Sequence, residues 1–402
     1  MKRILLVCLA LAGPAMATNG MRMPGFGPVQ NSMAGVGVGA TLDATSIASN
    51  PAGIASLPTQ IELGGTYFKP SVSYSATESA GLGGMVVAQP GVAIDSKRGA
   101  SPIPSLAAVK QLGDGLAAGL GVFAVSGMGV DYAQNLYSGQ TYTSYMQARL
   151  SPAVAYTIGG GLTLGVAVNA MVAQMDWNVA SGFGQQPHDT STSYGIGATA
   201  GAKLVVFDWL ALGAAYESRS YFRDFSFAVN GGTDKLSFDQ PMAAAVGVQV
   251  TPLKELLVAA DVQWINWSAT NGENKPVFSQ NQSQAQAWDM GWSDQWVFKV
   301  GVQVTPLENL KLRAGYNYGK MPLDAHCAFE NIAFPAVSEH HISAGVGYDF
   351  GRLTLNAGAM VSPKATLTGS NPDYPQQGGQ AIASYTTTMS QVSFDLGLNY
   401  RL

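Results

Sequence analysis

The sequence predicts an all-β fold, a 14-stranded antiparallel transmembrane β-barrel with an N-terminal plug. Three observations predict it: strands that alternate large apolar with small or charged residues, an exported N-terminus, and short connections that alternate with long ones. In Trp296–Val304, Trp296, Phe298, Val300, Val302 and Val304 form one face, and Lys299, Gly301 and Gln303 lie on the other. In Phe394–Leu402, Phe394, Leu396, Leu398, Tyr400 and Leu402 alternate with Asp395, Gly397, Asn399 and Arg401. A water-soluble sandwich alternates too. Here the pattern recurs down the chain, and charged residues are only 11% of it, against about 25% in ordinary soluble domains. A barrel with lipid outside and a wet lumen inside has this composition.

The N-terminus reads as an export signal. Lys2 and Arg3 precede the apolar run Ile4–Ala12, and Ala15-Met16-Ala17 is a small-x-small cleavage site, so cleavage is expected after Ala17. The run is far shorter than the ~20 residues of a spanning helix. Cys8 leaves with the signal, and Cys327 is then the one cysteine remaining, which excludes an internal disulfide. Loss of Lys2 and Arg3 takes the formal charge from −4 to −6. A nucleic-acid partner needs a basic footprint, so that class is excluded.

The strands follow from about Gln60 to the end of the chain. Gly113-Asp114-Gly115, Gly159-Gly160-Gly161, Phe207-Asp208-Trp209, Thr251–Glu255, Thr305–Asn309 and Phe350-Gly351-Arg352 are short connections rich in turn residues. Longer polar segments separate them, near Lys69–Ser101, Gly127–Met146, Trp177–Ser193, Asp224–Phe238, Ser268–Asp294, Gly319–Glu339 and Ser362–Met389. Small periplasmic turns and large extracellular loops have this asymmetry, and the count implies 14 strands. Charges test the facing, because Lys or Arg on the lipid face near the midplane costs about 2–4 kcal/mol. Lys203, Glu217, Arg219, Asp261, Lys311, Arg313 and Asp349 all fall opposite the apolar face. Trp264, Trp267, Trp296, Tyr316, Tyr318 and Tyr400 sit near strand ends, where an aromatic girdle belongs.

Residues 18–59 do not read as strand. Gly25–Gly39 is glycine-rich, and Leu42–Leu57 has short helical potential broken at Asn50-Pro51. Gly35-x-Gly37-x-Gly39 lacks a preceding strand and the rest of a nucleotide fingerprint. A solvated export leader is the alternative, but the apolar content is high for one. A hatch seated in the barrel is more economical, since 14 strands enclose more space than wall side chains fill.

Several motifs resemble one family. Ser32–Ala40, Asp43–Ser46 and Asn50-Pro51-Ala52-Gly53 resemble the N-terminal hatch of the FadL family of outer-membrane transporters. The likeness extends through Ala260–Trp267, Arg313–Tyr318 and His341–Tyr348, and so spans the hatch and most of the barrel. The resemblance implies residence in the outer membrane of a Gram-negative bacterium and passive uptake of long-chain fatty acids or other hydrophobic compounds. It implies a monomer inserted by the barrel-assembly machinery, surrounded by outer-membrane lipid, with no cofactor. It also implies a hatch that gates the lumen, with Asn50, Pro51, Ala52 and Gly53 as its motif. A kink in the third strand would let cargo leave sideways. That strand is expected over Leu116–Ser126, followed by Gly127-Met128-Gly129, with Gly119, Gly121, Gly127 and Gly129 permitting an interrupted ladder. Close packing against the hatch is the other use for those glycines.

No catalytic constellation or metal-ligand spacing is visible, and His340-His341 reads as polar residues at a strand mouth. Met128 and Met146 are candidates for an apolar mouth, since methionine adapts to varied ligand shapes. If the cargo has a carboxylate, Arg149, Arg219, Arg223, Lys299, Lys311 and Arg313 are candidate contacts by facing. Each has a competing use, pairing with a lumen acid such as Glu217, Asp261 or Asp349, or with the hatch. A general diffusion porin is the rival function, and an outer-membrane lipid hydrolase a more distant one.

Overall fold

The computed structural model describes residues 19–76, 81–82, 85–86, 91–132, 140–179, 187–229, 231–280, 284–369 and 384–402. The expected signal, residues 1–17, lies outside them. The wall consists of strands β1 (Gln60–Ala76), β2 (Ser101–Gly113), β3 (Leu116–Tyr132), β4 (Thr141–Gly159), β5 (Leu162–Val179), β6 (Pro187–Phe207) and β7 (Leu210–Glu217). It continues through β8 (Ala243–Leu253), β9 (Leu256–Ile265), β10 (Gln295–Leu307), β11 (Leu310–Gly319), β12 (His340–Phe350), β13 (Leu353–Gly369) and β14 (Tyr385–Arg401). Each pairs antiparallel with its sequence neighbours, and β14 closes on β1 from Gln60↔Arg401 to Ala76↔Tyr385. The fold is therefore a closed 14-stranded antiparallel barrel. Every strand is paired on both sides for at least part of its length, as a spanning sheet requires.

The alternation sorts as the sequence requires. Leu396 is 70% exposed and Trp296 57%, whereas Asp261, Arg313 and Lys203 on the lumen face are 2%, 6% and 8% exposed. Three of the periplasmic turns, at Gly113–Gly115, Gly159–Gly161 and Gly351, are tight because their backbones turn left-handed. Asp114 sits at φ 52° between Gly113 and Gly115 at 98° and 76°.

Three features depart from the sequence reading. The third strand does not stop at Ser126 but runs to Tyr132, and β1 runs to Ala76, so the segments after them are shorter than expected. The β1 extension is polar on its outward face, Lys69, Ser71 and Ser73, and so mimicked a loop, whereas the β3 extension is glycine-interrupted and buries Met128, Val130 and Tyr132 in the extracellular cluster. Trp267 is not in the girdle. The chain turns inward at a short helical turn, Ser268–Asn271, and Trp267 is buried against Trp292 with ring centroids 4.8 Å apart. Both belong to a large apolar cluster capping the extracellular end, with Phe225, Phe227, Phe238 and Phe334.

Candidate functional site

The segment before β1 folds inside the barrel. Helix α1 (Gly27–Asn31) begins with Pro28, and helix α2 (Ser46–Ser49) leads into a 3-10 turn, Pro51–Ser56. The Asn50-Pro51-Ala52-Gly53 motif makes that last turn. The Asn50 side chain accepts from the Ala52 N–H at 3.2 Å, Pro51 starts the turn, and Gly53 lies against Thr41. Asn50 Nδ2 also donates to Val38 O (2.8 Å) within the hatch and to Ala202 O (3.0 Å) on β6. The motif thus closes the hatch on itself and fastens it to the wall.

Opposite these contacts, the lumen face is paved with glycine. Gly165 pairs with Gly201, Gly213 with Gly247, Gly301 with Gly315, and Gly64 with Gly397. A Cβ at Gly213 would lie 2.0 Å from Val38 O, and one at Gly165 would lie 2.4 Å from Ala52 N. Hatch backbone rests on wall backbone, a distance that only glycine allows.

One carboxylate fixes the glycine-rich loop. Asp261 Oδ2 accepts from the Gly37 and Val38 N–H groups at 2.7 and 3.0 Å, and its Oδ1 accepts from Gly39 at 3.2 Å. Successive amides converging on an anion form a nest, which is the use of Gly35–Gly39. Asp395 plays a similar part, accepting from Asn31 Nδ2 (2.8 Å) and Thr66 Oγ1 (2.5 Å). Within the hatch, burial pushes the Asp43 carboxyl above its ordinary range, against the hydrogen bonds from Thr45 that lower it.

The wall is not evenly laced. β2 pairs with β1 along Ser101–Val109, but its ladder to β3 stops at Ser105↔Phe123. Pro102 and Pro104 stand two apart, so their missing N–H groups would have pointed to one neighbour. Beyond Phe123, β3 bulges at Val125 and pairs with β4 alone. The hatch start fills the vacant edge from inside. Arg22 bridges to Ser126, Met23 N donates to Val125 O (3.3 Å), and Ser126 Oγ donates to Met21 O (2.6 Å). Arg22 then reaches Glu217 on β7, which also binds Arg149 Nη1 at 3.1 Å. Under the seam lies a cavity of about 10 Å³ between Met23, Phe26, Ile103, Pro104 and Phe123. Deeper in the lumen, one of about 40 Å³ touches Arg22, Glu217, Asp261 and Lys299. Their volumes suit water-sized molecules and nothing larger.

The candidate residues fall in distinct places. Gly119 faces hatch Ile47 and Ile54, Gly121 faces Phe123, and Gly129 lies against Thr143 O. Gly127, beside the bulge, takes Met21 O on its N–H at 3.3 Å. Met128 is buried in the extracellular apolar cap, and Met146 packs near Ala148 and Val172 on the wall. Lys299 Nζ donates to Pro24 O (2.7 Å) and Gly35 O (3.3 Å), and Arg149 Nη2 donates to Ala48 O (3.2 Å). Lys311 pairs with Asp349 at 2.9 Å, and Arg219 with Asp239 at 2.9 Å. Arg313 bonds Gln303 (2.8 Å) and Asn356 (2.9 Å), while Arg223 is exposed at the extracellular end. The Asp261 nest, the proline pair and the Asn19–Met23 seal were missed from sequence. Only Pro102-x-Pro104 within a strand carried a local signal.

The arrangement is matched by known proteins. The toluene transporter TodX of P. putida superposes with a TM-score of 0.76 at 18% identity, over 94% of this chain and 99% of that one. A FadL homologue of Pseudomonas aeruginosa gives 0.78 at 16% identity over 95% and 99%. The toluene transporter TbuX of Ralstonia pickettii gives 0.71 at 18% identity over 94% and 99%. No curated protein matches the chain. The family described as outer membrane protein transport protein (OMPP1/FadL/TodX) matches residues 12–402. The chain belongs to this family of outer-membrane proteins that transport hydrophobic compounds.

Proposed function

We propose that the protein admits small neutral hydrophobic molecules through its extracellular cap and releases them sideways into the membrane between β2 and β3, with the hatch as gate. The observation that carries this reading is the seam beyond Phe123, where the ladder from β2 to β3 stops and Asn19–Met23 bonds the edge at Val125–Gly127 from inside. Withdrawing that segment frees a route in which no strand has to unpair from another. Opening the seal breaks a few backbone hydrogen bonds, each worth about 1 kcal/mol net, together with the Arg22–Glu217 ion pair. The chain itself performs passage and not catalysis on this reading, as its family description states for its members.

A neutral cargo is favoured over a fatty acid by the lumen cations. Arg149, Arg219, Lys299, Lys311 and Arg313 each already hold a carboxylate or carbonyl of the protein. A carboxylate head group would have to displace one of these bonds, whereas a hydrocarbon competes for none. The folds of TodX and of CymD, titled a monoaromatic hydrocarbon channel, fit the same reading.

The test is a reversible lock. Arg22→Cys and Ser126→Cys stand at a bridged antiparallel pair, within the span of a disulfide. Oxidised cells should take up labelled toluene at the background rate, and reduction should restore it. Equal uptake in both states would overturn lateral release at the seam. Labelled long-chain fatty acid, run in parallel with the reduced protein, should enter far more slowly than toluene; the reverse order would overturn the neutral cargo. In planar bilayers the unlocked protein should pass no steady ionic current, and large open-channel steps would instead establish a porin.

A further inference from the structure

Near the extracellular end, the outward face of the barrel changes character abruptly. On β1 the apolar belt ends at Tyr67, 54% exposed, and the next outward residues are Lys69, Ser71 and Ser73. On β14 it runs through Phe394, 55% exposed, to Val392, the partner of Lys69, and Ser390 and Thr388 follow above. On β13 it ends at Val361, and a register shift just above presents Lys364. At ~3.4 Å per residue, Lys69 lies roughly 7 Å along the strand from Tyr67. That is the level of lipid head groups, above an aromatic girdle.

A strap turns this patch into a pocket. Ile94–Asp95 pairs with Tyr74 and Ser73, Ser96 N donates to Val72 O (2.8 Å), and Lys97 N donates to Asp131 O (2.7 Å) on β3. Arg98 ties the strap down through Thr143 O (3.3 Å) and Ser144 Oγ (2.9 Å) and lies over the Tyr142 ring. The pocket so formed, of about 400 Å³, is lined by Lys69, Ser71, Ser73, Lys364, Thr388 and Ser390, with Asp95, Ser96 and Arg98 from the strap. Ser73 and Thr388 share one hydrogen bond at 2.7 Å. Lys69 and Lys364 form no ion pair among the described residues, Asp95 included. Two unneutralised ammonium groups in a chain of net negative charge, beside hydroxyl donors and at head-group height, are chemistry for phosphate.

We propose that this pocket binds the phosphorylated head group of an outer-leaflet lipid, with Lys69 and Lys364 on the phosphate and Ser71 and Ser390 as hydroxyl donors. Its acyl chains would lie along the apolar belt below, over Tyr67, Phe394 and Val361. A free phosphate would use the same donors but gain nothing from the belt.

Native mass spectrometry of the full-length protein in detergent tests this with three probes: bisphosphorylated lipid A, the same lipid dephosphorylated, and inorganic phosphate. Lipid A should bind, loss of its phosphates should weaken it at least tenfold, and millimolar phosphate should displace little. Each lysine contributes about fivefold at a membrane surface, so K69Q with K364Q should weaken lipid A roughly 25-fold, while K254Q, at a periplasmic turn, should not. D95N should tighten binding, and it needs no change to the lysines should their double variant fail to fold. Equal binding by the double variant, or no effect of D95N, overturns the site. Equal binding of dephosphorylated lipid A overturns the head-group assignment, and full displacement by phosphate overturns the lipid as its source.

Discussion

The hatch meets the barrel in two ways. Along β5 to β11 it is seated: backbone lies on glycine backbone, Asp261 and Lys299 fasten Gly35–Gly39 from the wall, and Asn50 ties the hatch to Ala202. Along β3 it packs Ile47 and Ile54 against Gly119 and, beyond Phe123, covers a seam through Asn19–Met23 with a few backbone bonds and the Arg22–Glu217 ion pair. The seated contacts are buried and partly ionic, so breaking one leaves unpaired charge or amide behind, which costs several kcal/mol. The seam contacts add strand to an open edge and can be released one at a time. A plug held firmly on one side and loosely on the other has a built-in direction of movement.

Four changes break or sharpen this contrast. Gly213→Leu should do most, because its Cβ would meet Val38 O at 2.0 Å and that atom is backbone with no freedom to turn away. The barrel should still insert, shown by its heat-dependent gel shift, while limited proteolysis cuts the hatch completely; an uncut hatch would show the seat to be soft. Asp261→Ala should come next, at about 3 kcal/mol, by orphaning the amides of Gly37, Val38 and Gly39. Hydrogen exchange should then rise at those amides, with little change at Ser126 and Gly127.

Asn50→Ala removes a cap and two carbonyl contacts, for about 1–2 kcal/mol. It should raise basal leakage of a small dye while leaving thermal stability of the barrel within a few degrees; unchanged leakage would show the motif to serve folding alone. Ser126→Ala should do least, about 1 kcal/mol through the lost bond to Met21 O. That change should quicken hydrocarbon uptake slightly with no effect on exchange at Gly37–Gly39. Coupled changes at both places would dissolve the distinction between seat and seam.

How much of this was legible varies by residue. The lipid face of Trp296–Val304 and Phe394–Leu402 could be read directly, since facing has period two and each neighbour constrains the next. Lys299, Lys311 and Arg313 lie on the lumen side as parity requires, whereas Arg219 and Arg223 lie past the end of β7 with Arg223 exposed; the partners were not visible, because Lys299 bonds Gly35 from 264 positions away. Gly165, Gly201 and Gly213 were visible as small inward residues, but what approached them was not. Pro102 and Pro104 were a readable sign of an interrupted ladder that went unread. The extent of β1 misled because the polarity of Lys69, Ser71 and Ser73 suggested a loop, and that of β3 because Gly127 and Gly129 suggested a break.

By itself the sequence determined the strands, their number, their facing and the asymmetry of the connections, because alternation and turn chemistry are local and the membrane punishes error on one face. Tertiary structure alone decided where the hatch sits, that Asp261 fills the nest of Gly37–Gly39, and that Asn19–Met23 closes the gap beside β3. Those contacts join residues far apart in the chain, 105 positions for Ser126 with Met21 and 224 for Asp261 with Gly37. They depend on where closure of the barrel brings each wall position, and no local pattern encodes that.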